Sequence, residues 1–353
     1  MELKKRILVA PLNWGLGHAT RCIPIINALI SQNYEPIIAS DGIALKLLKK
    51  EFPNLEAITL PSYKVTYSKK GKHFKLKLLK DSPKMLKAIK AEKEQVKNLL
   101  KATQIDGIIS DNRLGVYSKK VPSVFISHQL NVLSGSTTWL SSKIHQNIIK
   151  KFDECWIPDL EDEPNLSGKL GHLEQQIIPM KYLGVVSRFN KLNIKKVYDL
   201  TVLLSGPEPQ RSMLEEYLLE ELTNYNGKVL FVKGCVESKQ NTIIKKNITI
   251  INFMQTKELE IAINQSDIIL SRSGYTTVLD LAKLEKKAFF IPTPGQFEQE
   301  YLAKRLDEKG ITPYCSQDKF TIYQLARTEN YKGFNSIYNS TDFSSLFNLF
   351  ERK

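Results

Sequence analysis

Ser271-Arg272-Ser273-Gly274-Tyr275-Thr276-Thr277 lies between an apolar run, Asp267 to Leu270, and a helical stretch carrying Val278, Leu279 and Asp280. A strand, a turn of small residues and a helix start make an anion seat. Backbone N–H groups and the positive end of the helix dipole meet above such a turn. Asp280 falls four residues beyond Thr276, on the same helix face. A carboxylate there reaches a diol next to a phosphate held at the turn. Phosphate beside a diol is the chemistry of a nucleotide.

A second constellation opens the chain. Arg6-Ile7-Leu8-Val9-Ala10 reads as a buried strand and Asn13-Trp14-Gly15-Leu16-Gly17-His18 as a glycine turn. Cys22, Ile25, Ile26 and Leu29 then recur at helical spacing. Gly15 and Gly17 lack the third glycine of a dinucleotide fingerprint, so a tight strand-to-helix connection is their plainest reading. Pro24 is expected to kink or restart the helix. His18 stands at the carboxyl end of the first strand, where open α/β sheets hold their chemistry. Its imidazole is suited to proton transfer near neutral pH. Asp111, in Ile108-Ile109-Ser110-Asp111-Asn112-Arg113, ends another strand. The two are alternative bases; the plainer roles are a structural histidine and a helix cap.

Together these segments resemble the MurG-like glycosyltransferases of glycosyltransferase family 28. The resemblance is carried by Ile251-Asn252-Phe253-Met254, Ser266-Asp267-Ile268-Ile269, Ser271 to Asp280, Ile291-Pro292-Thr293-Pro294 and Gln299, in the family's order. Gly15-Leu16-Gly17-His18 and His128-Gln129-Leu130-Asn131 extend it to the N-terminal half. It implies an α/β chain of GT-B architecture, two doubly wound Rossmann-like domains facing a central cleft. It also implies inverting transfer from a nucleotide-sugar, a UDP-sugar above all, to a hydroxyl acceptor that is lipid-linked or a glycan. The donor set it implies is Arg188, Ser205, Gly206, Met254, Ser273, Gly274, Thr276, Thr277, Asp280, Gln299 and Glu300. On the acceptor side it implies Gly15, Gly17, Asn112, His128 and Asn131. Four features depart from the family pattern: Asp280 replaces a ribose-binding Glu, Gln299-Glu300 a Gln-Gln pair and Gln129 a Glu, and the first loop has fewer glycines. Arg272 is read as a residue of the fold. No Asp-x-Asp motif is present, in keeping with a site that needs no metal or other cofactor.

Enzymes that cleave UDP-sugars in nonulosonate pathways resemble the same family, and Gly15 to His18 followed by Arg21 fits them too. Water then replaces the acceptor. A non-catalytic nucleotide-binding module would keep Gly274 and Asp280 and have no competent base.

The elements that must position these residues alternate. Strands are expected at 6–10, 35–39, 56–60, 106–110, 122–127 and 154–157, with helical stretches between them, a βαβ pattern that implies a parallel sheet. A second series runs through 199–204, 228–232, 248–251, 267–270 and 288–291. The 353 residues therefore divide into an N-terminal domain, 1–187, a nucleotide-sugar domain, 188–326, and a tail, 327–353, which in the family folds back on the first domain. Pro207 and Pro209 leave the 205–210 loop with fewer N–H donors than a full glycine loop.

The formal net charge of +14 is uneven. Tyr63 to Lys101 holds 13 lysines against Asp81, Glu92 and Glu94, a local balance of 13 − 3 = +10. Ser82-Pro83 is expected to start a helix there. Met85, Leu86, Ile89, Val96, Leu99 and Leu100 form an apolar stripe, either a core face or a surface for an anionic membrane, where each basic residue contributes ~1 kcal/mol. Lysine without arginine argues against nucleic-acid readout. The four cysteines are widely spaced, which suits neither a zinc site nor a redox pair. With no export signal in the first residues, a cytoplasmic protein, peripheral at the membrane, is the expectation.

Overall fold

The computed structural model describes residues 4–63, 74–206, 208–235, 237–335, 343 and 345–351, and only the backbone of 74–82. The chain forms two compact units. The first takes its residues from 4–63, 75–186 and 343–351, the second from 187–335.

The first unit runs β1 (Arg6–Pro11), α1 (Gly17–Ser31), β2 (Glu35–Ser40), α2 (Gly42–Glu51), β3 (Ala57–Thr59), α3 (Phe74–Ala102), β4 (Gly107–Asp111), β5 (Ser123–Ile126), α4 (Thr138–Ile149), β6 (Glu154–Ile157) and β7 (Met180–Tyr182). Its sheet is parallel throughout, in the order β3-β2-β1-β4-β5-β6-β7. The central strands carry unbroken apolar runs because both faces are covered. Ile7 and Val9 pack with α1 and α2, while Leu8, Ala10 and Ile108 pack on the face that holds Val96 of α3. Residues far along the chain complete this unit. Phe347 and Phe350 pack edge-on or tilted against Tyr34 and Trp156, and Lys5 Nζ donates to the Phe350 carbonyl at 2.9 Å. Gly107 is required beneath them, since a Cβ there would collide with the Phe350 ring.

The second unit runs β8 (Tyr198–Leu203), α5 (Gln210–Glu221), β9 (Val229–Val232), β10 (Thr242–Lys245), β11 (Ile248–Ile251), α6 (Thr256–Asn264), β12 (Ser266–Ser271), α7 (Tyr275–Lys283), β13 (Lys287–Phe290) and α8 (Phe297–Glu308). Its sheet order is β10-β11-β9-β8-β12-β13, parallel except for the β10–β11 hairpin. A 3-10 helix, Ile322–Asn330, adds Ile322 and Leu325 to this core.

Two local expectations are corrected and one alternative is decided. α1 does not restart at Pro24 but continues through it as one helix, held on both sides by buried Cys22, Ile23, Ile25 and Ile26. α3 begins at Phe74 rather than at Ser82, with Pro83 inside it; the Lys- and Leu-rich segment before the proline is a good helix former. The apolar stripe of α3 is mostly a core face: Val96 is buried, Met85, Ile89, Leu99 and Leu100 are partly buried, and Leu86 alone of the stripe is exposed. Lys69, Lys70 and Lys72 of the same basic segment lie outside the described residues.

Candidate active site

In each sheet one pair of neighbouring strands sends its connections in opposite directions, and ligands of doubly wound sheets bind at that switch point. In the first unit the pair is β1 and β4; in the second it is β8 and β12.

At the first switch point Pro11 is in register with Asp111, and Leu12 N donates to the Asp111 carbonyl at 2.9 Å. The turn after β1 therefore starts beside the Asp111 carboxylate. Gly15 adopts φ 81, and α1 begins at Gly17 with His18 in its first turn. His18 Nδ1 lies 2.8 Å from Asp111 Oδ1. Asn112, in the left-handed region at φ 57, turns the chain sharply after Asp111, a conformation asparagine tolerates better than most residues. Arg113 then returns into the interior.

Arg21, one turn along α1 from His18, is buried and grips Asp111 with two nitrogens. Nε donates to Oδ2 at 2.5 Å, and Nη2 to Oδ1. Its Nη1 donates to His128 Nδ1 at 3.0 Å, so that nitrogen of His128 is an acceptor. Cys22 Sγ stands 3.7 Å from Asp111 Oδ2. Burial alone would raise the Asp111 carboxyl, but Arg21 and His18 outweigh it and hold the group far below the usual carboxylate range. An ionised Asp111 calls for a proton on His18 Nδ1, which leaves Nε2 as the basic lone pair. Burial lowers the His18 imidazole; Asp111 opposes this and Arg21 adds to it. The net direction is downward, which favours the neutral imidazole. His18 also keeps a 16% exposed side chain above a fully buried carboxylate. This is the geometry of a general base whose orientation and tautomer are set by a second residue.

A second buried network stiffens this floor. Arg113 Nε donates to the Pro11 carbonyl at 2.9 Å, Nη1 to the Pro61 carbonyl at 3.1 Å and to Glu92 Oε1 at 2.8 Å, and Nη2 to Asp41. Tyr63 Oη donates to Glu92 Oε2 at 2.7 Å. Burial raises the Glu92 carboxyl and Arg113 opposes that rise. The carboxyl ends of β1 and β2 are thus tied to α3.

Asn131 is turned to structural work. Its amide donates to the Lys169 carbonyl at 2.7 Å, bracing the segment that carries His128.

At the second switch point Gly206, at φ 104 with open space where a side chain would stand, follows β8 beside Ser205. Gly274 begins α7 with no capping side chain and with no atom near the place of a Cβ. Thr276 and Thr277 lie in the first turn, and Asp280 lies one turn further. Asp280 Oδ1 accepts from Ser187 Oγ at 2.6 Å. Burial raises its carboxyl to about 6, against the charge of Arg188 and the bond from Ser187. Arg188 donates from Nη1 to Thr256 Oγ1 at 3.1 Å and stacks on Phe189 at 4.7 Å. Met254 lies half-buried between β11 and α6.

Other residues of the implied donor set hold the frame. Ser273 Oγ donates to the Gln299 carbonyl at 2.8 Å. Gln299 Oε1 accepts from Thr293 N at 2.8 Å, and Glu300 Oε1 from Gly295 N at 2.9 Å. Both side chains shape the 293–296 turn. Arg272 is buried among the Ile291, Pro292 and Gln210 carbonyls and Gln317, and burial lowers it to about 9. Sequence reasoning named Arg21 without giving it a role; its place one turn after His18 was the available signal.

Residues 211–330 match the glycosyltransferase family 28 C-terminal domain. An uncharacterized glycosyltransferase of Methanosarcina acetivorans is 23% identical, covering 86% of this chain and 84% of its own length. The UDP-N-acetylglucosamine--N-acetylmuramyl-(pentapeptide) pyrophosphoryl-undecaprenol N-acetylglucosamine transferase of Clostridium tetani is 23% identical, covering 90% and 87%. Among solved structures, Arabidopsis thaliana UGT89C1 complexed with quercetin superposes with a TM-score of 0.62 at 12% identity, covering 93% of this chain and 89% of that one. The glycosyltransferase SnogD from Streptomyces nogalater gives 0.60 at 12% identity, covering 92% and 91%. With the family 28 C-terminal domain matched over residues 211–330, relatives of MurG type similar over most of its length and a doubly wound sheet in each half, the chain resembles the MurG-like glycosyltransferases and has the GT-B fold.

Proposed function

We propose that this protein transfers a sugar, with inversion, from a UDP-sugar to a hydroxyl acceptor, lipid-linked or glycan, with His18 as the base. The observation that carries the reading is the His18 Nδ1 to Asp111 Oδ1 bond of 2.8 Å at the first switch point, which leaves Nε2 to accept a proton. The acceptor oxygen attacks the anomeric carbon, its proton passes to Nε2, and the bond from that carbon to the diphosphate breaks. The leaving nucleoside diphosphate carries its charge onto the α7 start at Gly274, where fixed dipoles stabilise it. Asp280 accepts from the ribose diol. The naming of UDP-N-acetylglucosamine in the Clostridium tetani relative supports a UDP-sugar donor.

The exposed lysines 84, 87, 90, 93, 97 and 101 of α3 support a peripheral attraction to anionic lipid. It is electrostatic, because the apolar stripe is mostly turned inward.

Hydrolysis of the same donor is the second reading, favoured by the engagement of Arg21 with His18 and Asp111. Incubation with UDP-, GDP- and dTDP-sugars, with and without membrane lipid, tests both. Sugar transfer that needs lipid or glycan supports the proposal. Free nucleotide released at full rate without acceptor replaces it with hydrolysis, and no turnover of any donor refutes both.

A further inference from the structure

His18 Nδ1 has two neighbours at the same distance, Asp111 Oδ1 and Arg21 Nη2, each 2.8 Å away. Only one can be its partner. If Nδ1 carries the proton, it donates to Asp111 and Nε2 is basic. If Nδ1 accepts from Arg21, Nε2 carries the proton and the base is lost. The carboxylate decides between them: ionised Oδ1 can only accept, so a lone pair on Nδ1 would face it in repulsion, whereas Nη2 already has Oδ1 to donate to. Charge then decides whether the Nδ1-protonated ring stays neutral. A lone carboxylate buried beside an imidazole would be balanced most readily by an imidazolium, which is no base at all. Here Arg21 already balances it, and both carboxylate oxygens are engaged by the guanidinium.

We propose that Arg21 is the positioning residue of the His18–Asp111 pair, neutralising Asp111 through both oxygens so that His18 rests as the neutral, Nδ1-protonated imidazole. The guanidinium is planar and presents its donors in a rigid fork, so one side chain serves Asp111 through Nε and Nη2 and His128 through Nη1. Lysine, a point charge, cannot serve all three. The groups facing His18 are Asp111 from the end of β4, Arg21 from α1 and His128 from the segment after β5. Of these, Asp111 favours the imidazolium, whereas Arg21 and His128 oppose it. The inference rests on His18 being the base, but its physical content, a bias on one imidazole, is measurable without any substrate.

The test is a pH titration of the full chain labelled in histidine and followed by NMR. The chain has five histidines, and His18 is assigned by the signal lost in His18→Gln. The native chain should show the Nδ1-protonated tautomer. In Arg21→Met the His18 midpoint should rise by about one pH unit or more, as expected on removing a cation a few ångströms away. In Arg21→Lys it should rise less. An Nε2-protonated tautomer in the native chain would overturn the proposal, as would an unmoved midpoint in folded Arg21→Met. Should Arg21→Met fail to fold, an unmoved midpoint in Arg21→Lys overturns it. Loss of the folded state in both variants also overturns it, because Arg21 would then be structural. Full activity of His18→Ala would refute the base assignment and leave this titration result to stand by itself.

Discussion

Pro11 and Asp111 are register partners on adjacent parallel strands, so the carboxylate ends level with the turn that leads to His18. Adjacent strand ends reach the same depth, and a helix starting six residues after Pro11 returns its first turn to that level. The pair is thus made by sheet registry, and the expected roles are separable. His18→Ala should lower turnover by ~10²–10⁴-fold with little change in donor affinity. Asp111→Asn should also lose turnover, because the amide can stabilise the wrong tautomer. Steady-state kinetics with the donor that turns over checks this. A fully active His18→Ala beside an inactive Asp111→Asn would move the base to Asp111.

On the proposed reading, Asp280 couples stability and donor binding to the same proton. Its carboxyl is raised to about 6 in the folded chain and titrates near 4 when unfolded. Between those values the folded state binds more protons, so stability falls as pH rises from about 4 to about 6 and is level above. Asp280→Asn should remove that slope and recover up to ~3 kcal/mol at pH 7, read by urea unfolding across pH. Affinity for UDP-N-acetylglucosamine should rise with pH through about 6 in the native chain, as the carboxylate forms. Asp280→Ala should weaken it by ~1.5–3 kcal/mol; unchanged calorimetric affinity removes Asp280 from the site.

Arg113 sits among Glu92, Asp41 and two carbonyls with no exposure. Arg113→Met would leave two carboxylates in the interior without their cation. A loss of about 3–5 kcal/mol in unfolding free energy is expected. Urea denaturation measures it, and a loss below about 1 kcal/mol would show that the network relaxes.

The exposed lysines of α3 should bind anionic vesicles at low salt and release them as salt rises, since screening acts over about 8 Å at physiological ionic strength. Replacing Lys84, Lys87, Lys90, Lys93, Lys97 and Lys101 with Gln should abolish co-sedimentation and leave UDP-sugar affinity intact. Absence of vesicle binding by the native chain at low salt ends the membrane reading, and tighter binding to RNA redirects it.

The parallel strands were legible because a strand buried on both faces writes itself as an apolar run, as Ile7 to Ala10 does. β10 was not legible: its four residues are all exposed, and its turn uses Lys246 at φ 53 with no glycine to mark it. β7, three half-buried residues, carries no pattern either. His18 and Asp111 could be named as alternatives because each follows a strand, but spacing along the chain cannot show that they touch. Strand order does that. Gln299 and Glu300 show the opposite limit. A motif preserves residue types, yet both side chains are turned to backbone N–H groups of one turn, a use that no spacing reveals.

Phe347 and Phe350 belong to the core of the first unit, yet they follow the whole of the second in sequence. During synthesis a chain folds from its leading end. The first sheet therefore emerges with an aromatic slot open between Tyr34 and Trp156, and it stays open until the second unit has been made. The order of translation makes the second unit's completion a precondition for the first unit's final stability. A nascent chain arrested at residue 335 should be cut by protease within 4–63 or 83–186 faster than the finished protein, while residues 187–335 resist equally in both.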